Sequence, residues 1–271
     1  MKSKAVGICL AIGMTVLFSS SAGEAAGTCP IAVAHRGESA SAPEETGPAF
    51  VAAGKGGAKA IEMDIRFTRD NVPVLFHDPT VDRTTTSTGY VSSFYFYQIN
   101  RMDAGHDFNP GYDGIHPYSL NNALWKIAPF SGVMVIPELK TNATTSQLTT
   151  VANTITARGM TSRTIVQSFY ASYLLKFHAI APTVKLALTT DTEPADPVAA
   201  VKAAKATYWL PNYLKLTPEH LLAAHAAGIK VFPWTVDDPA AWEKLTVLGV
   251  DGILTNRSSR FVGWSIARCG A

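Results

Sequence analysis

The sequence predicts an α/β fold, a (β/α)8 TIM barrel with an inserted loop region after a His-Asp pair. Three observations predict it. From Pro30 onward, short apolar runs alternate with helical stretches, the pattern of parallel strands joined by crossover helices. The chain has 271 residues, 47% hydrophobic and 16% charged, which suits one large domain with a full core. No Gly-x-Gly-x-x-Gly turn follows the first strand, so the fingerprint of an open dinucleotide-binding sheet is missing.

The N-terminus reads as a targeting segment. Lys2 and Lys4 precede an apolar run, Ala5 to Phe18, of about fourteen residues, too short to span a membrane comfortably. Small residues follow, with Ala22, Ala25 and Ala26 as cleavage positions. Residues 1–26 are therefore expected to be a signal peptide, and residues 27–271 a secreted barrel domain, extracellular or periplasmic. Export removes Cys9 and leaves Cys29 and Cys269, which an oxidising compartment would pair. Closing so long a loop contributes about 3–5 kcal/mol in the chain-entropy model. The formal charge of +2, without a basic run interleaved with aromatics, argues against a nucleic-acid partner.

The elements follow in order. Ile31 to His35 is a short buried strand. Glu44 to Ala53 reads as a helix, opened by Pro43 and ended by Gly54, Gly56 and Gly57. Ala58 to Phe67 and Val72 to Phe76 are β-runs joined by the polar turn Thr68 to Asn71. The second follows too closely for a crossover helix and is expected as a hairpin extension, which leaves eight places for the remaining strands. Residues 79–118 carry little periodicity and much Thr, Ser, Tyr, Asn and Gly, as expected of a functional or inserted subregion. Then come a helix from Ser119, a strand to Leu139 and a helix from Thr144. Strands at Thr164–Phe169, Val184–Leu188, Thr207–Leu210, Ile229–Val236 and Val250–Thr255 alternate with helices at Ala171–Ile180, Pro197–Lys205, Pro218–Ala227 and Pro239–Leu248.

Barrel enzymes react at the C-terminal ends of their strands. There the chain places His35-Arg36, Glu62 and Asp64, Glu138 and Lys140, Ser168 and Trp234, with Glu44 and Glu45 just after His35. Glu62 and Asp64 stand two apart on a strand and so share a face. Carboxylates from separate strands in one mouth repel unless a cation holds them. An all-oxygen set suits Mg²⁺ or Ca²⁺, and no Cys-rich or His-x-x-x-His pattern indicates zinc.

These residues carry a resemblance. The chain resembles the glycerophosphodiester phosphodiesterases in Ala34-His35-Arg36-Gly37, Pro43-Glu44-Glu45-Thr46, Ile61-Glu62-Met63-Asp64, His77-Asp78 and Asp82-Arg83-Thr84. Further on, Pro137-Glu138-Leu139-Lys140, Ser168-Phe169, Trp234-Thr235-Val236 and Gly249 to Asn256 match in order. The resemblance implies a metal-dependent hydrolase that turns a glycerophosphodiester into glycerol 3-phosphate and an alcohol. It implies one divalent cation, Ca²⁺ or Mg²⁺, held by Glu44, Glu62, Asp64 and Glu138. It also implies catalytic His35 and His77, with Arg36 and Lys140 facing the phosphate and Trp234 at the substrate. The usual Pro-Glu-Asn-Thr is Pro-Glu-Glu-Thr here, so Glu45 adds a negative charge that either favours Ca²⁺ or points away. The expected partner is a small-molecule glycerophosphodiester met by a monomer. The alternatives are a phospholipase D-like enzyme acting on lysophospholipid or sphingomyelin headgroups, with a transient lipid-surface contact through residues 90–118, and a non-catalytic secreted binding protein.

Overall fold

The computed structural model describes Met1, residues 29–140 and residues 143–270. The stretch from Lys2 to Ala26, expected to be a signal peptide, lies outside these residues. Strands β1 (Ile31–Ala34), β2 (Ala60–Phe67) and β3 (Pro73–Leu75) are interrupted by helix α1 (Gly47–Lys55). The short α2 (Phe96–Ile99) lies in the inserted region, and α3 (Leu120–Ile127) leads into β4 (Met134–Leu139). Then α4 (Thr145–Ala157), β5 (Ile165–Ser168), α5 (Ala171–Ile180), β6 (Lys185–Thr190), α6 (Pro197–Ala203) and β7 (Tyr208–Pro211) alternate. The chain ends with α7 (Pro218–Ala226), β8 (Lys230–Val231), α8 (Pro239–Leu248), β9 (Gly252–Thr255) and α9 (Ser258–Cys269).

The strands run in the order β8-β7-β6-β5-β4-β2-β1-β9 with parallel pairing, and β3 adds antiparallel to β2 as a hairpin. Three backbone hydrogen bonds draw the two ends together: Asp251 N–H to Val231 O, Leu254 N–H to Pro233 O and Val236 N–H to Leu254 O. The barrel is thus nearly closed. Strand β8 is shorter than its apolar run suggested, because Pro211 on β7 has no N–H to give back to it and Pro233 has none to give toward β9.

Period-two alternation decides which side chains enter the barrel. Val33, Ala60, Ile136, Ile165, Ala187, Leu210, Phe232 and Leu254 form one buried interior layer. Their neighbours Ala32, Ala34, Ile61, Met63, Val135, Val166, Leu186, Trp209 and Ile253 face the helices in the larger core. Counting by two from the interior layer leads to His35, Glu62, Asp64, Glu138, Lys140, Gln167, Thr189 and Trp234. The acidic pair therefore shares a wall with His35 and Trp234.

Helix starts follow their caps. Ser119 accepts a hydrogen bond from Asn122 N–H, Thr144 and Gln147 form a reciprocal capping box, and Thr217 accepts from His220 N–H. Helix α1 starts at Gly47 rather than at Glu44, because Glu45 adopts φ +61° and Thr46 is extended. Helix α9 was not expected from the sequence. Glu38, buried behind β1, accepts hydrogen bonds from Ser258 and Ser259 at its start. The inserted region builds its own small core from Val81, Val91, Ile99 and Met102 against Val74 and Phe76, with Phe94 and Phe96 packed on it. Cys29 and Cys269 form a disulfide, Cα to Cα 6.1 Å, tying the residue ahead of β1 to the end of α9.

Candidate active site

The site begins at the turn after β1. Arg36 (φ +56°) and Gly37 (φ +82°) reverse the chain, and a side chain at Gly37 would stand 2.8 Å from the backbone of Ala49. Only glycine fits there. The turn aims the Arg36 N–H at Glu62 Oε2, 3.0 Å away, and swings its guanidinium between Glu44 (3.2 Å) and Asp64 (3.1 Å).

Glu62, Asp64 and Glu138 are buried, and each offers an oxygen within 4.8 Å of the others'. Register explains this, since Asp64 lies beside Glu138 in the β2–β4 ladder. Lys140 Nζ reaches Glu138 at 2.9 Å and Asp64 at 3.2 Å. Burial, then Asp64 and Glu138, pushes the Glu62 carboxyl well above its ordinary range. Burial and Asp64 raise Glu138 to about 7. For Asp64 burial acts upward, but Lys140 and Arg36 outweigh it and hold the group low. Arg36 Nε approaches Asp64 Oδ2 without hydrogen-bond alignment, so both buried atoms lack a hydrogen-bond partner. Crowded, proton-retaining carboxyls with an orphaned oxygen fit a hard divalent cation.

Glu44 does not join this cluster. It accepts from Arg83 at 2.8 and 2.9 Å and from Arg36 at 3.2 Å, and these pairs hold it low against burial. Of the four expected ligands, the structure thus brings three together and sets Glu44 apart, drawn by two guanidiniums toward the inserted region. Glu45 points into the protein, where its Oε1 accepts from Asp64 N–H at 2.7 Å. Burial, then Asp64 and Glu62, raises it well above the carboxylate range. The Ser168 hydroxyl also departs from expectation. It bonds to Leu139 O, while its neighbour Gln167 takes the interior position on β5. Gln167 donates to Glu62 Oε1 at 3.0 Å and accepts from Thr189 at 3.1 Å.

The two histidines stand in one cleft with Arg36, Glu62, Glu138, Lys140, Phe169 and Trp234. His35 Nδ1 meets Asn256 Oδ1 at 2.8 Å, and its Nε2 lies 3.9 Å from Glu62. Burial and then Arg36 lower His35 to about 4. His77 Nδ1 meets Asp78 at 2.8 Å, and Asp78 in turn accepts from Arg83 at 2.6 Å. Arg83, with burial opposing it, holds Asp78 down at about 2. Arg66 donates twice to the His77 carbonyl. Burial, then Arg36, also lowers His77. Trp234 packs edge-on to Phe169 at 5.5 Å and donates Nε1–H to Leu210 O. Asp78, Arg83 and Asn256 lie within the motifs without an expected role, and neither Gln167 nor Arg66 stands out in the sequence. Strand parity would have found Gln167. The other contacts cross between elements.

An oxygen-donor cradle for a cation, flanked by cationic side chains and two proton carriers, defines a barrel enzyme that works on phosphate esters. Comparison with known proteins agrees. Residues 35–260 match the model of the Glycerophosphoryl diester phosphodiesterase family. The chain is 31% identical over 235 residues to a glycerophosphodiester phosphodiesterase of Caldanaerobacter subterraneus, covering 83% of this chain and 93% of that one. It is similar in structure to a glycerophosphodiester phosphodiesterase of Agrobacterium tumefaciens, with TM-score 0.78, 28% identity and coverage of 86% and 99%. An Oleispira antarctica phosphodiesterase shares the fold, with TM-score 0.83, 23% identity and coverage of 88% and 97%. The chain belongs to the glycerophosphoryl diester phosphodiesterase family, and it is a phosphoric diester hydrolase.

Proposed function

We propose that the enzyme hydrolyses small glycerophosphodiesters to glycerol 3-phosphate and an alcohol, with His35 as general base and His77 as general acid. The observation that carries this is the different partner at each Nδ1. An amide oxygen on His35 requires Nδ1–H, which leaves Nε2 free to take a proton in the cleft. On His77 the Asp78 carboxylate favours the proton-bearing ring, working against burial and Arg36, which lower the group on balance. The structure of the Oleispira antarctica phosphodiesterase was solved with the product sn-glycerol-3-phosphate, which supports the same substrate class here.

Arg36 and Lys140 would bind the phosphate oxygens, and Trp234 with Phe169 would pack the carbon chain. His35 takes a proton from the attacking oxygen as it bonds to phosphorus; that oxygen is water's, which gives glycerol 3-phosphate directly, or the neighbouring glycerol hydroxyl's, which gives a cyclic phosphate that water opens in a second step. His77 gives a proton to the departing alkoxide as the other P–O bond breaks. A divalent cation, Ca²⁺ or Mg²⁺, held by Glu62, Asp64 and Glu138, would stabilise negative charge on the phosphate.

An alcohol-release assay on a panel of glycerophosphodiesters, with chelation and add-back of each ion, tests the reading. Activity should vanish on chelation and return with one ion. No turnover on any member would sink it. His35→Ala and His77→Ala should each lower kcat by about 10²-fold or more. With a p-nitrophenyl phosphodiester, whose leaving group needs no proton, His77→Ala should lose far less than His35→Ala. Equal losses would reverse or erase the assignment.

A second reading, action on lysophospholipid headgroups at a lipid surface, rests on Tyr90, Tyr95 and Tyr97, which remain exposed in the inserted region. Against it, Phe94 and Phe96 turn inward. Vesicle binding compared with soluble glycerophosphocholine turnover separates the two. We further read residues 1–26 as a signal peptide, a reading supported by the Cys29–Cys269 bond, which belongs to an oxidising compartment. N-terminal sequencing of protein recovered outside the cytoplasm checks it.

A further inference from the structure

His35 depends on a side chain that can be turned either way. The two ends of an amide are similar in size, so the orientation of Asn256 is set by its neighbours. Ser39 does not set it. Its hydroxyl lies 2.9 Å from Asn256 Oδ1 and 2.8 Å from the His35 carbonyl, so it can donate to the amide oxygen or accept from the amide nitrogen. His35 does not set it either, because a neutral imidazole can donate or accept at Nδ1.

The third neighbour is Asp237, in the segment between β8 and α8. Its Oδ1 accepts from Thr255 Oγ1 and from Asn256 N–H, both at 2.8 Å. Its Oδ2 faces the Asn256 side-chain nitrogen at 2.6 Å. A carboxylate only accepts, so Asn256 must turn its NH₂ toward Asp237 and its oxygen toward His35. The reversed amide would set two acceptor oxygens against each other. With the oxygen fixed at 2.8 Å from Nδ1, the His35 proton must sit on Nδ1. We infer that Asp237 is a positioning residue that selects the Nδ1–H tautomer of His35 by locking the orientation of Asn256. The link between this tautomer and catalysis rests on the proposed role of His35 as base, whereas the lock itself does not.

The variant Asp237→Asn places an NH₂ where the carboxylate oxygen stood. Asn256 should then flip and present its own NH₂ to His35, forcing the proton to Nε2. The double variant Asp237→Asn with Asn256→Asp restores an acceptor at Nδ1 and a matched donor–acceptor pair behind it. The readout is the ¹⁵N spectrum of histidine-labelled protein with bound Mg²⁺ at pH 8, assigned with His35→Gln, since the two neutral tautomers have distinct ring-nitrogen shifts. The wild type should show Nδ1–H at His35, Asp237→Asn should show Nε2–H, and the double variant should return to Nδ1–H. For turnover, Asp237→Asn should lower kcat about 10–100-fold with KM changed less than about threefold, and the double variant should recover part of it. Nε2–H at His35 in the wild type would overturn the inference, even if no variant folded. So would an unchanged tautomer in Asp237→Asn. If the tautomers shift as expected but the wild type turns over no phosphodiester, the lock stands and the functional reading fails.

Discussion

Glu62 and Glu138 are carboxyls that retain protons in a crowded, buried place, and this makes cation binding proton-linked. A group raised in the folded state stabilises the cation-free protein below its unfolded pKa. That contribution is lost as pH rises through the folded value, about 7 for Glu138. A bound cation removes the repulsion that remains. The rise in Tm on adding saturating Ca²⁺ or Mg²⁺ should therefore be larger at pH 8 than at pH 5.5, as thermal unfolding at both pH values would show. An equal rise would mean that the three carboxyls do not hold the ion. Glu44 separates ligand from bystander. Glu138→Gln should weaken cation binding about 10–100-fold, while Glu44→Gln should leave calorimetric affinity nearly unchanged, because Arg83 and Arg36 already occupy its oxygens.

Among the elements, the turn between β1 and α1 carries the most constraint. It supplies His35 and Arg36, and it is held against α1 by the absence of a side chain at Gly37. Gly37→Ala combines a positive φ with contact against the backbone of Ala49. It should cost about 1–3 kcal/mol, measured by denaturant unfolding, and lower kcat because Arg36 shifts. A variant as stable and active as the wild type would show that the turn tolerates repacking. Most elements were legible in the sequence because the barrel strands, buried on both faces, read as short apolar runs and caps mark helix starts. The exceptions have physical causes. Pro211 and Pro233 cut β8 short, each by removing a donor from one of its two edges. Helix α9 has a narrow apolar face around Phe261 and Trp264 within a polar sequence, and it depends on Glu38, more than two hundred residues earlier in the chain, to satisfy its first turn.

Over the whole molecule, the disulfide joins ends 240 residues apart in sequence. Replacing both cysteines by serine should lower stability by about 3–5 kcal/mol through the unfolded chain, with kcat unchanged, since the bond lies ahead of β1 and behind α9. A variant with unchanged Tm, measured in parallel with reduced wild type, would show that α9 needs no tether.

The sequence by itself determined the barrel and the pairing of carboxylates on β2, and its motifs singled out His35 and His77. These follow from local periodicity and from motifs that each lie within a few residues. Only the tertiary structure decided which acids share a cavity and what each histidine leans on. Glu44 and Glu45 are adjacent in sequence, yet Glu44 turns to Arg83 and Glu45 to the Asp64 backbone. His35 and Asn256 meet across the junction of β1 and β9, which no local pattern records. Alternation along a strand specifies the face on which a side chain emerges, whereas its charge partners come from strands that only closure of the barrel brings together.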